Sequence, residues 1–290
     1  MKKKLFVGFL ILLSVSFTSC TGGKKKQQEG NKKEVTIAMV NWVECIANTH
    51  LAKAVLEDKG YKVNLVNAAV APVFAAVARG NADVFMEVWE PATHKSYMDK
   101  FGDKVDHLGT IYKDGRLGLV VPDYVTINSI DELNSQKGKF DGKIIGINPG
   151  AGIMNISQKV IEDYSLNYEL VTSSEAGMLA SLKKAYDKKD WIVVTGWKPH
   201  TMFARYKLKI LDDPKGTMGS AETISIIATK GWKETHPELS IFFSNFKMND
   251  DLLGSLMLTV QKNTGKEDEA ALEWYHKHQE LVDSWFTPKQ

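Results

Sequence analysis

Phe85-Met86-Glu87-Val88-Trp89-Glu90-Pro91-Ala92-Thr93-His94 opens as the end of an apolar strand and breaks at a proline. Proline donates nothing to a strand ladder and drives its predecessor toward extended geometry. The strand therefore stops with Trp89 at its mouth, where open α/β sheets place ligand groups. Trp89 there offers a π face, and His94, five residues on, offers an imidazole donor. The plain alternative is an indole that plugs the sheet end.

The flanking segments alternate as a parallel sheet requires. Residues 35–40 are β-rich, 44–60 carry Ile46, Leu51, Ala54 and Val55 at helical spacing before Gly60, and 61–66 alternate as a second strand. Residues 71–79 read as a short apolar helix, and 84–88 as the strand that delivers Trp89. Strand, helix, strand, helix, strand is the signature of a doubly wound unit. A second unit follows, with strands at 143–147, 168–171 and 191–195. Between them lie helices at 153–164 and 174–188, the latter with Met178, Leu179, Leu182 and Ala185 on one face. Ser129 and Glu132 start another helix as a capping box. Strands at 115–121 and 221–229 cross between the units, and Gly115 and Gly118 permit bending there. Residues 237–246, 250–263 and 266–286 read as closing helices. The expected fold class is α/β, a two-lobe clamshell with a hinge. Lobe 1 is 34–118 with 222–290, and lobe 2 is 119–221.

Hydrophobic content of 43% and charged content of 25% place the body among soluble globular proteins. The formal charge of +2 conceals a split. Residues 1–33 hold eight lysines against Glu29, so the remainder is mildly acidic at −5. A nucleic-acid surface is not expected, since the basic excess belongs to the leader. That leader, 1–20, has Lys2-Lys3-Lys4, an apolar run from Leu5 to about Phe17, and Thr18-Ser19 before Cys20. It reads as a signal peptide, too short to span a bilayer. Ending on Cys20 after two small residues, it resembles a lipoprotein signal, in which the cysteine carries lipid. Residues 21–33 contain no apolar side chain and read as a flexible tether. Cys45 is then left without a disulfide partner and reads as a small packing residue.

Three expected strand ends lead to a tryptophan: Trp42, Trp89 and Trp197, two from the first unit and one from the second. Trp191, Trp232, Trp274 and Trp285 lack that setting and are assigned to packing. If the units face each other, three indoles converge. Cation–π attraction to a tryptophan is about 0.5–1 kcal/mol when exposed and about 2 or more when desolvated. A micromolar ligand needs about 8 kcal/mol, so a cage of three supplies a large share for a quaternary ammonium, which has no N–H to donate. Asn148-Pro149-Gly150-Ala151-Gly152-Ile153 joins a strand to a helix. The first N–H groups of a helix lack internal partners and favour an anion, and Gly152 admits close approach. The alternative there is a plain glycine turn. Cage and cradle together fit a zwitterion with a bulky cation and a carboxylate. His200 reads as a turn-bonding residue after Pro199, and Glu44, Glu87 and Glu90 read as solvated.

Four separated motifs carry a family resemblance: 41–44 (Asn-Trp-Val-Glu), 86–94, 148–153 and 195–200 (Thr-Gly-Trp-Lys-Pro-His). In this order they resemble the glycine betaine/proline betaine-binding proteins of ABC importers. The resemblance implies a type II periplasmic-binding fold. It also implies that Trp42, Trp89 and Trp197 form an aromatic prism around a trimethylammonium, that Gly152 and Ile153 give backbone donors to a carboxylate, and that His94 adds a third. Glycine betaine, proline betaine, carnitine and choline are the candidate ligands. An ABC permease with its ATPase is the expected partner, and the protein is expected to be a monomer on the outer side of a membrane.

Two other classes stay open. An enzyme acting on a betaine-like compound is disfavoured by the sequence, which has no nucleotide loop, no His/Cys metal spacing and no Gly-x-Ser-x-Gly elbow. No cofactor or metal is expected. A ligand sensor that docks on a receptor has the same sequence requirements as a transport protein.

Overall fold

The computed structural model describes residues 33–288. The expected signal peptide, Cys20 and nearly all of the tether lie outside the described residues. Among these, no helix is long and apolar enough to cross a membrane.

Strands β1 (Glu34–Met39), β2 (Lys62–Asn67) and β3 (Val84–Glu90) run parallel with β1 in the middle. Helices α1 (Val43–Asp58) and α2 (Val70–Ala78) supply the crossovers that parallel pairing needs. β3 is buried from Val84 to Trp89, as expected for a strand covered on both faces. Helix α3 (Lys95–Phe101) follows the Trp89 loop. Strand β4 (Val105–Pro122) is 18 residues long. After it come β5 (Lys143–Ile145), α4 (Gly152–Asp163), β6 (Glu169–Val171), α5 (Glu175–Lys188), β7 (Val194–Lys198), α6 (Met202–Arg205), β8 (Leu208–Ile210) and β9 (Glu222–Thr229). The chain closes with α7 (Trp232–Thr235), α8 (Pro237–Asn245), α9 (Asp250–Lys262), α10 (Glu267–Lys277) and α11 (Gln279–Ser284).

The two-lobe α/β architecture turns on β4. Its first part, from Val105 to Gly115, pairs antiparallel with β9, which lies against β3. Its second part pairs antiparallel with β7 over Arg116–Val120 and with β8 over Val120–Pro122. β5 pairs parallel with β7 and β6. One sheet therefore reads β2-β1-β3-β9-β4 and the other β4-β7-β5-β6, with β4 shared.

Several expectations are corrected. The strand expected at 115–121 begins at Val105, because alternation through His107 and Thr110 was masked by irregular register against β9. The strand near 221–229 does not cross between sheets; β9 pairs only with β3 and β4. The strand expected at 191–195 lies at Val194–Lys198, so Trp197 is inside it. The capping-box helix after Ser129 is a 3-10 helix over Ile130–Phe140. The last helix breaks at His278, whose Nδ1–H donates to the Trp274 carbonyl at 2.8 Å and whose ring stacks on the Trp274 indole at 3.9 Å.

The loop after β3 is anchored by one buried carboxylate. Glu222 accepts from the N–H groups of Ala92 (3.1 Å) and Thr93 (3.0 Å) and from the Thr93 hydroxyl (2.6 Å). Removing it leaves three partly buried donors without their acceptor. Glu222→Ala is expected to lower unfolding free energy in urea by about 2–4 kcal/mol, with Glu222→Gln recovering part. A loss below about 0.5 kcal/mol would show that the loop is held by other contacts.

Candidate ligand-binding site

The three tryptophans reach one place by three routes. Trp42 is the last residue before α1, held extended at φ −114°, ψ 144°. Trp89 stands near the end of β3, and Trp197 lies in β7 opposite Leu117 of β4. All three line a single cavity with Glu44, Thr93, Leu117, Ile147, Ala151, Gly152 and Ile153. The remaining tryptophans pack elsewhere. Trp232 stacks on His236, Trp274 on His278, Trp285 packs on Phe246, and Trp191 meets Phe140 edge-on.

The Trp89–His94 segment is a closed loop. His94 N–H donates to the Trp89 carbonyl at 3.0 Å, and Trp89 N–H donates to His94 Nδ1 at 3.0 Å. Accepting at Nδ1 leaves the ring proton on Nε2 in the neutral form. Burial pushes the His94 pKa down to about 3, so the ring is neutral at physiological pH. His94 is fully buried, stacks on Trp42 at 5.9 Å and 16°, and does not itself line the cavity. Its Nε2 has no hydrogen-bond partner in the protein.

Two glycines let the walls meet. A Cβ at Gly152 would lie 2.1 Å from the Thr93 carbonyl oxygen, so only glycine lets α4 rest its first turn on the β3 loop. That first turn has no side-chain cap, which leaves the N–H groups of Gly152 and Ile153 at the cavity without intrahelical acceptors. A Cβ at Gly115 would lie 2.6 Å from the Trp89 ring. Gly115 therefore has a packing reason: the indole lies against bare backbone of β4. A side chain at Gly118 would meet Ile210 at 2.3 Å in the same way.

The cavity floor is acidic, which the sequence reading missed. Glu44 and Glu87, expected to be solvated, are buried; Glu90 is half-buried beside His107. Glu44 lines the cavity from the first turn of α1. Glu87 Oε1 accepts from Trp89 Nε1 at 2.5 Å. Glu175, at the start of α5, accepts Val43 N–H at 3.1 Å and binds His200 Nε2 at 3.2 Å. His200 Nδ1 accepts Met202 N–H at 2.9 Å, so the turn-bonding role expected for His200 is present, and its ring also meets Trp197 edge-on at 4.7 Å. Burial and then the Glu175 charge push Glu44 up to about 7, while His200 and the nearby Trp197 N–H favour its ionised form. Burial and then Glu44 hold Glu87 well above the carboxylate range. Cys45 sits beside them as a free, buried thiol that burial pushes up. The one clue to a buried floor was spacing: Glu87 lies between apolar Met86 and Val88 in a strand covered on both faces.

Residues 33–277 match the family described as the substrate binding domain of the ABC-type glycine betaine transport system. The chain belongs to this family. It is 43% identical over 145 residues to the glycine betaine/carnitine transport binding protein GbuC of Listeria monocytogenes, a match that covers 49% of this chain and 48% of that protein. The match thus spans about half the length of that curated relative. Lactococcal OpuAC, solved in a closed-liganded conformation with glycine betaine, superposes with a TM-score of 0.83 at 38% identity, covering 88% of this chain and 100% of that one. The glycine betaine/L-proline-binding protein ProX of Borrelia burgdorferi gives a TM-score of 0.85 at 37% identity, covering 89% and 97%. The two-lobe α/β fold described above is the one these solved relatives share.

The buried acids and His94 set opposite pH slopes on stability. Glu44 titrates higher in the folded state than in the unfolded one. Its penalty is absent below about pH 4.5, grows as pH rises to about 7 and levels off above that. Glu44→Gln should stabilise the ligand-free protein at pH 8, by on the order of 3 kcal/mol, and change little at pH 4.5. His94 titrates lower when folded, so it costs nothing above about pH 6.5 and costs increasingly as pH falls toward 3. His94→Gln should flatten the acid limb between those values. Urea melts at pH 4.5, 6.5 and 8 measure both, and parallel curves for Glu44→Gln and wild type would contradict a buried Glu44.

Proposed function

We propose that this protein captures glycine betaine or a related quaternary ammonium osmolyte between its two lobes and delivers it to a membrane permease of an ABC importer. The observation that carries this reading is the cavity itself. Indoles from the start of α1, from β3 and from β7 share one hollow with the uncapped N-terminus of α4. A trimethylammonium group offers no proton to donate, so ring faces and diffuse negative charge are what bind it well. A carboxylate at the far end of the ligand is suited to the N–H groups of Gly152 and Ile153 and the helix dipole. His94 Nε2–H is the third donor in this reading. All four candidates carry a quaternary ammonium; glycine betaine, proline betaine and carnitine add a carboxylate, and choline has only a hydroxyl.

The reading extends to the rest of the chain. Lobe 1 is 34–118 with 222–290 and lobe 2 is 119–221, a division supported by the pairing change on β4 near Gly115. Cys20 carries a lipid that tethers the protein outside a membrane through the polar segment 21–33, and the protein works as a monomer. The function is binding without turnover.

A thermal-shift screen of the four ligands, followed by calorimetry, tests the reading. Trp197→Ala should weaken betaine binding at least about tenfold; unchanged affinity would remove this ring from the site. His94→Ala should weaken glycine betaine more than choline, and equal losses would remove His94 from the carboxylate end. Mass spectrometry after prolonged incubation should return the ligand intact, whereas a converted product would establish an enzyme.

A further inference from the structure

Beneath the cage lies a second group of polar atoms. Glu44 lines the cavity beside Trp89, Glu87 holds the Trp89 indole N–H, and after burial it is the Glu44 charge that pushes the Glu87 carboxyl up. Both glutamates are essentially inaccessible to solvent. The Oε2 atom of each finds no donor in the protein. Two carboxylates that face each other away from water repel, and a proton held between them relieves the repulsion. The same pair touches the cage. Glu87 accepts the Trp89 indole N–H, the Trp197 N–H lies near Glu44, and Glu44 itself lines the cavity. A carboxylate on an indole N–H makes a charge-assisted bond and enriches the π face that a cation meets.

We infer that Glu44 and Glu87 form a proton-sharing acid pair whose single remaining negative charge is the counter-charge of the aromatic cage, so that cation binding is coupled to proton release. The inference rests on the cage reading of the cavity. With two protons the pair is neutral and holds the cation only through the rings. With one proton it adds a buried negative charge and a polarised Trp89. The cation favours the second state and drives one proton out to solvent. The groups that face the pair are Glu175 from α5, His200 after β7, Cys45 on α1 and the indoles of Trp89 and Trp197. Glu175 is already bonded to His200 Nε2 and the Val43 N–H. Burial holds Glu44 up to about 7, which places the exchange near neutral pH.

The test uses choline, which has no group titrating between pH 5.5 and 8. Calorimetry at pH 6.5 in two buffers of different ionisation enthalpy counts protons without any variant. Wild type should release about half a proton or more per choline bound, and its affinity should rise about tenfold from pH 5.5 to pH 8. The Glu44→Gln, Glu87→Gln double variant should release none. Its affinity should be pH-independent and close to that of wild type at pH 5.5. A positioning role alone would change affinity without changing the proton count. Tight binding with no proton release in wild type would overturn the inference and leave the cage standing. Release that persists in the double variant would overturn it, because the proton would then come from outside the pair. No binding of choline or glycine betaine at either pH would overturn the cage reading and this inference together.

Discussion

Strand β4 is the one backbone that both sheets must use. Gly115 pairs with Glu222 of β9, and the next residue, Arg116, pairs with Lys198 of β7. A strand's ladder groups must be satisfied along its whole length, so the two sheets meet within one residue of each other. That adjacency brings the ends of β1 and β3 close to the middle of β7. Trp89 reaches across from β3 and rests against Gly115, where a Cβ would collide at 2.6 Å. The cage is thus a product of sheet topology, and the missing side chain on β4 is what admits the ring.

Burying Glu44, Glu87 and Glu175 works against stability, because desolvation of a carboxylate is expensive without partners. Glu175 has partners in Val43 N–H and His200, and Glu87 has the Trp89 indole. Glu44 has the least, and it is the one exposed to the cavity. Strain of this kind gathers where a ligand repays it. The loop above is treated differently. Glu222 is fully used by Ala92 and Thr93, so the carboxylate at the rim is satisfied where those of the floor are not.

Much of this was legible in the chain. Proline after Trp89 marked a strand end, helical spacing located α1, α2, α4 and α5, and the strand-to-helix glycines marked the start of α4. The convergence of Trp42, Trp89 and Trp197 followed once two α/β units were assumed to face each other. The rest was hidden for physical reasons. A glutamate is read as solvated because it rarely survives burial, and only tertiary packing reveals the acids that do. Gly115 and Gly118 read as flexible because composition cannot show that Trp89 and Ile210 press on them. The break at His278 depends on a ring stacking on Trp274, one turn earlier, and propensity does not encode it.

The two ends of the proposed site differ in the kind of charge they use, and that difference bears on selectivity. At the α4 end the positive potential comes from backbone N–H groups, with neutral His94 stacked on Trp42. Dipoles and a neutral imidazole do not titrate across the physiological range, so attraction for a carboxylate there is constant. At the cage end the charge belongs to carboxyls whose protonation is set by burial and by one another. A ligand that uses both ends keeps part of its affinity when the acid pair is neutral. A ligand with only a cation depends on the cage end alone. Preference between zwitterion and simple cation is then a property of how protons distribute on the floor, and not only of the shape of the walls.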